Sequence, residues 1–252
     1  MKSRLGKYLS GIAALLMMAA TPAHAQQALR VGGPAIDGVF EEGKPSPYWN
    51  FYAALAEGSP VQVDLHMMPV KRFTRAFFSR EFDCMYMASD EESYYRDNGR
   101  SQSEFLHTPV FNRIDMHAYS HVSVPYVTSM AELEGKVIAG DEGLHVSSIA
   151  QNRLPFARRI LYAPTMDDAF ALIKNGRAQV VLSYEIDAEQ YFERMGKQEF
   201  HASPDFMLLS LGEGLACWPS PEAEKFVSYA GALINDLRKS GELKSRFGFS
   251  VK

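Results

Sequence analysis

From residue 28 onward the apolar positions switch between a period of two and a period near 3.6, the mark of strands alternating with helices. Residues 28–32 (ALRVG) form a short apolar run ending in glycine and predict a first strand. Residues 48–57 predict a helix stopped by Gly58-Ser59-Pro60, after which Val61, Val63 and Leu65 alternate as a second strand. Residues 69–80 predict a helix with proline in its first turn. Val70, Phe73 and Phe77 make its apolar face, with Lys71, Arg72 and Arg75 elsewhere. Residues 82–88 (FDCMYMA) predict a third strand.

A long extended stretch, 108–121, follows without helix punctuation. The alternation then resumes, with strands expected at 137–139, 160–162 and 180–182. Residues 165–175 predict a helix: Thr165 caps it, Gly176 stops it, and Met166, Ala169, Phe170 and Ile173 fall at helical spacing. A second extended stretch, 206–218, is interrupted at Gly212 and Gly214. Ser220-Pro221 then opens a final helix with apolar positions at Phe226, Tyr229, Leu233 and Leu237. The alternation places the chain in the α/β class. Two extended connections around a central block predict one lobe interrupted by another, with the chain crossing twice.

Composition narrows the class of protein. With 46% hydrophobic and 22% charged residues, disorder, collagen and coiled coil are excluded. A net charge of −4 argues against nucleic acid as a partner. Residues 1–25 have the form of a signal peptide: Lys2, Arg4 and Lys7, then an apolar run, then Ala23-His24-Ala25 as a cleavage site. Without them 23 basic side chains face 30 acidic ones, a net charge of −7. The expectation is a soluble protein exported to the periplasm.

In order and spacing these segments resemble a known family. The opening Leu29-Arg30-Val31-Gly32, the Pro69-x-x-Arg72 helix and the strand after Phe82-Asp83 carry the first part of the resemblance. Thr108-Pro109, the run MAELEGKVIAGDEG at 130–143, Ala169-x-x-Leu172, Gly176-Arg177 and the closing helix ending near Gly241 complete it. The chain is similar to type II periplasmic solute-binding proteins of the amino-acid-binding group, family 3. That resemblance implies a two-lobe α/β fold, with two crossover strands as a hinge and a small ligand captured between the lobes for an ABC permease. It divides the chain into lobe 1 at 26–119 and 211–252 and lobe 2 at 120–210. It implies a monomer with no cofactor, or a membrane sensor as the partner in place of a permease.

The chain departs from the family's binding motifs. The start of the first helix reads Pro47-Tyr48-Trp49-Asn50, without the usual acid, and Tyr184 stands where an aspartate would meet a ligand's ammonium. Arg72 and Arg96 are the arginines placed to hold an anionic group. His145 follows Gly143, where family members carry hydroxyl residues. The ligand-binding set expected from the resemblance is therefore Arg72, Arg96, Tyr48, Trp49, His145 and Tyr184, with an anionic or aromatic-stacking ligand. Tyr94 and Tyr95 extend the aromatic set, and the same rings would serve equally as core packing.

Other constellations are weaker. His117 and His121 are four apart on a predicted strand, HExxH and CxxC are absent, and no metal site is expected. Asp90-Glu91-Glu92 reads as a solvated turn. A dehydratase on the same fold is the enzymatic alternative, with Glu142, Glu185 or Glu189 as its acid. Export permits disulfides, and the resembling fold inserts the returning stretch beside the third strand. Cys84 and Cys217 are then either bridged or a pair of buried thiols.

Overall fold

The structure is a computed structural model, and it describes residues 28–141, 154 and 157–250. The signal-peptide segment, Glu142, Gly143, His145, Ser147 and Ser148 lie outside the described residues. The first half of the chain comprises β1 (Leu29–Ala35), α1 (Pro47–Glu57), β2 (Val63–Pro69), α2 (Val70–Phe78), β3 (Cys84–Ser89), α3 (Glu92–Asp97), β4 (Leu106–His107) and β5 (Asn112–His121). Then come β6 (Val137–Asp141), β7 (Arg159–Ala163), α4 (Met166–Lys174), β8 (Val180–Tyr184) and α5 (Glu185–Met195). The chain closes with β9 (Phe200–His201), β10 (Leu209–Cys217), α6 (Pro221–Ser240) and α7 (Glu242–Phe247).

Local chemistry sets several boundaries. Ser46, Thr165 and Ser220 cap α1, α4 and α6, their hydroxyls accepting the Trp49, Asp168 and Ala223 amides at 3.1 Å. Pro47 and Pro221 sit in the first turns, where no amide donor is required. Gly241 ends α6 in the left-handed conformation, φ +78°. The buried face of α6 runs through Ala223, Phe226, Ala230, Ile234 and Leu237. Tyr229 and Leu233, expected on that face, flank it as half-buried residues.

Two elements depart from expectation. The 90–92 run is not a solvated turn: Glu92 begins α3, and Asp90 accepts the Gly212 amide at 2.7 Å and the Arg113 guanidinium at 3.0 Å. Helix α5 follows β8 with no side-chain cap, so its start carries no sequence signal.

Among the described residues the strands form one ten-stranded sheet, with main order β2-β1-β3-β10-β5-β8-β6-β7. Within each half the neighbours β2-β1-β3 and β8-β6-β7 are parallel, as βαβ crossovers require. The antiparallel exceptions are β5 and β10. The first half of β10 (Leu209 to Glu213) pairs with Met116 to Asn112 of β5, and its second half pairs with β3. Beyond that contact β5 pairs with β8. β10 thus joins β3 of the first half to β5, and β5 continues the sheet into the second half through β8, giving the two-lobe α/β fold with two crossover strands as hinge.

Separate apolar clusters fill the two halves. One gathers Phe40, Phe51, Tyr86 and Phe111 with α6 and α7, and another packs Phe170, Tyr191 and Phe200 around β8. Cys84 and Cys217 face each other directly across β3 and β10 and form a disulfide, both residues fully buried.

Candidate functional site

The two halves enclose a cleft of about 1010 Å³. Residues 35–38, after β1, and Pro69, Val70 and Lys71, at the start of α2, form one wall. The opposite wall comes from the end of β6 (Asp141), the 164–167 turn, and Asp187, Gln190, Glu193 and Arg194 of α5. Strand ends and helix starts meet here, the usual place for a ligand in an α/β protein. The walls touch at Gly38, φ +75°, where an added Cβ would lie 2.7 Å from Gln190 Oε1.

Beneath the cleft lies a smaller pocket of about 100 Å³. Its lining is mostly apolar and draws on every part of the hinge: Ile36, Val39, Val70, Phe73 and Met87 from one side, Ile186 and Tyr184 from the other, Ile114 and Leu211 from the crossover strands. Val70, Ile36 and Asp187 line both spaces and mark where they join. Met87 reaches the pocket by a bulge. Tyr86 pairs with Leu215 and Ala88 with Gly214, leaving Met87 as the extra residue at φ +63°. That conformation costs an L-residue about 1–2 kcal/mol, so surrounding packing holds it.

The polar side chains of the pocket are acids, phenols and the hydroxyls of Thr74 and Ser89. Glu213 of β10, only 5% exposed, accepts the Tyr48 hydroxyl at 2.5 Å and the Asn112 side-chain amide at 2.9 Å, both at Oε2. Asn112 Nδ2 also approaches the Tyr48 oxygen at 2.8 Å, and its Oδ1 accepts the Ser250 amide at 2.9 Å. Burial pushes the Glu213 carboxyl up to about 7, and the hydrogen bonds from Tyr48 and Asn112 only partly offset this. The Asp187 carboxyl is also raised to about 7, first by burial and then by its neighbours Asp141 and Glu213. Asp187 is half-buried and lines the cleft as well as the pocket. Burial raises the Tyr48 and Tyr184 phenols as well, so both are neutral.

The residues expected to bind ligand are distributed unevenly. Tyr48 and Tyr184 line the pocket together, joined by Tyr94. Trp49 packs instead on Phe40 and Tyr52, with ring centroids at 6.2 and 6.3 Å, and Tyr95 is core, its hydroxyl bonded to the Ser89 carbonyl at 2.9 Å. Arg72 and Arg96 are exposed and line neither space; Lys71, the neighbour of Arg72, lines the cleft. His145 lies outside the described residues. Glu185 and Glu189, weighed as enzymatic acids, are exposed and outside both linings.

Sequence reasoning missed Glu213 and Asp187. The available signal for Glu213 was a lone acid between glycines in an otherwise apolar strand, LSLGEGLAC. For a metal, ligand atoms of Asp115, His117 and Glu185 lie within 4.8 Å of one another. On β5, Asp115 and His117 occupy the face opposite Ile114, which lines the pocket, so the group lies away from the ligand space.

Solved structures similar to this chain include ligand-binding proteins and a sensor domain. The GluR0 ligand-binding core in complex with L-glutamate matches at a TM-score of 0.70 and 14% identity, covering 88% of this chain and 99% of that one. A histidine kinase sensor domain with similarity to periplasmic binding proteins matches at 0.67 and 16%, covering 87% and 94%. The amino acid ABC transporter substrate-binding protein AbpA from Streptococcus pneumoniae, bound to L-arginine, matches at 0.65 and 17%, covering 86% and 92%. The fold is therefore that of the type II periplasmic binding proteins. No protein-family model matches the sequence, and no curated protein does.

Proposed function

We propose that this chain is an exported solute-binding protein that captures a small molecule between its lobes and delivers it to an ABC permease. The observation that carries this reading is the cleft of about 1010 Å³ between two lobes whose strands are joined, among the described residues, through β5 and β10. A space of that size holds a small metabolite, and paired crossover strands allow it to close. We take residues 1–25 as the export signal, placing the mature protein in the periplasm. Lobe 1 is then 26–119 with 211–252 and lobe 2 is 120–210, the bending residues lying where β5 and β10 pair.

Arg72 and Arg96, proposed to grip an anion, do not line the cleft; the basic side chains that do are Lys71 and Arg194. Pocket tyrosines keep an aromatic contact available. A second reading has the liganded form engage a membrane sensor, supported by the equal likeness to a kinase sensor domain.

The test is small-angle scattering on the mature protein, freed of bound solute by unfolding and refolding, before and after adding back its native small-molecule extract. Compaction is expected. An unchanged radius at a saturation shown by native mass spectrometry would overturn capture by closure.

A further inference from the structure

The deep pocket holds two acids and, among the described residues, no basic side chain. Glu213 places both of its hydrogen bonds on Oε2, and its Oε1 takes none among the described residues. Among the described residues no side-chain polar atom is sealed from all surface without a partner, so this oxygen opens onto the pocket that Glu213 lines. The Tyr184 hydroxyl, on a residue 5% exposed, is likewise without a described hydrogen bond, and so is the Asp187 carboxylate at the pocket mouth. Among the described residues the pocket lining contains no lysine, arginine or histidine. The rest of its wall is aliphatic or aromatic apart from Gly212 and the hydroxyl residues Thr74 and Ser89.

A buried carboxylate oxygen left bare costs free energy that a donor recovers, and two carboxylates near each other repel until a positive charge lies between them. A carboxylate ligand would add negative charge to a space that already holds two acids and, among the described residues, no basic side chain. A neutral sugar would leave the repulsion between the two acids in place. We propose that the pocket is the recognition subsite for a protonated amine borne on a compact apolar body, its ammonium held by Glu213 Oε1 and Asp187. The body packs on Val70, Phe73 and Met87, and the remainder of the solute extends into the cleft. This inference rests on the cleft being the capture site.

Three probes with one ring and different heads test it: cyclohexylammonium, cyclohexanecarboxylate and cyclohexanol, titrated calorimetrically into refolded mature protein. The ammonium is expected to bind at least tenfold tighter than the other two. Glu213→Gln should remove that preference, while Arg72→Ala, outside the pocket, should keep it. Native mass spectrometry of the protein as purified runs alongside. Preference for the carboxylate or the alcohol, or no discrimination, overturns the amine subsite and leaves capture standing. If none of the three binds, the amine subsite also falls. Capture then stands or falls separately on whether a small molecule co-purifies.

Discussion

Replacing Glu213 with glutamine should change how stability depends on pH. The carboxyl ordinarily titrates near 4.5 and is raised to about 7 in the folded chain. Between those values the folded state keeps a proton that the unfolded state has lost, so stability falls as pH rises through the window. The loss is complete above about pH 7. A shift of that size corresponds to about 3 kcal/mol, at 1.36 kcal/mol per unit. Glutamine carries no charge at any pH, and its carbonyl oxygen can accept from Tyr48 and Asn112 as Oε2 does now. Relative to its value near pH 5, the variant should therefore be more stable than wild type by about 3 kcal/mol near pH 8. Asp187 shares the sign of the wild-type slope, and part of its rise comes from Glu213, so some of its contribution disappears too. Urea unfolding of ligand-free protein at a series of pH values measures the difference directly. Parallel stability curves for the two proteins would refute the reasoning, because they would mean that Glu213 ionises in the fold at no cost.

Changing Cys84 and Cys217 to alanine together opens a loop of 133 residues, and the chain-entropy relation puts the loss at roughly 5 kcal/mol. Thiol counting on denatured, unreduced wild-type protein should find no free thiol, and chemical denaturation of the double variant should show the loss. Gly38→Val places a branched side chain at φ +75° against Gln190, holding the cleft walls apart. Affinity for the captured solute should fall by about tenfold or more, roughly 1.4 kcal/mol, and unchanged calorimetric affinity would show that the walls need not meet there.

The parts of the fold legible in the sequence are those where local chemistry and burial agree. Thr165 and Gly176 bracket α4 because hydroxyl capping and a left-handed stop act within a few residues. The extended stretches were readable as crossovers because neither shows a 3.6 period. Helix α3 was hidden because six residues give too little periodicity and its acidic start resembled a turn. In the site, Tyr48 and Tyr184 were legible as aromatics near a family position. The acids were not, since a carboxylate reads as surface until packing encloses it. Arg72 and Arg96 were chosen for their charge, but a guanidinium's reach depends on which way its helix faces, and here both lie on exposed faces.

The placement of the acids also bears on how a solute would be sensed. Glu213 is anchored within one lobe by Tyr48 of α1 and by Asn112, which is itself tied to Ser250. Asp90 holds the next residue, Gly212, and bridges to Arg113, so the two crossover strands are clamped at this end. An added Cβ at Gly212 would meet Asp90 Oδ2 at 2.3 Å, so the clamp requires glycine there. Bending is then left to the other end of the pairing, toward Leu209 and Met116. Asp187 belongs to α5, on the far side of that bend. One acceptor stays with the first lobe while the other arrives with the second. An ammonium bridging the two carboxylates makes both contacts only when the lobes are together. A ligand shifts a conformational equilibrium only by its difference in affinity for the two states. Under the proposed amine subsite, dividing the acceptors across the hinge would supply that difference and make recognition of the charge and closure of the cleft a single event.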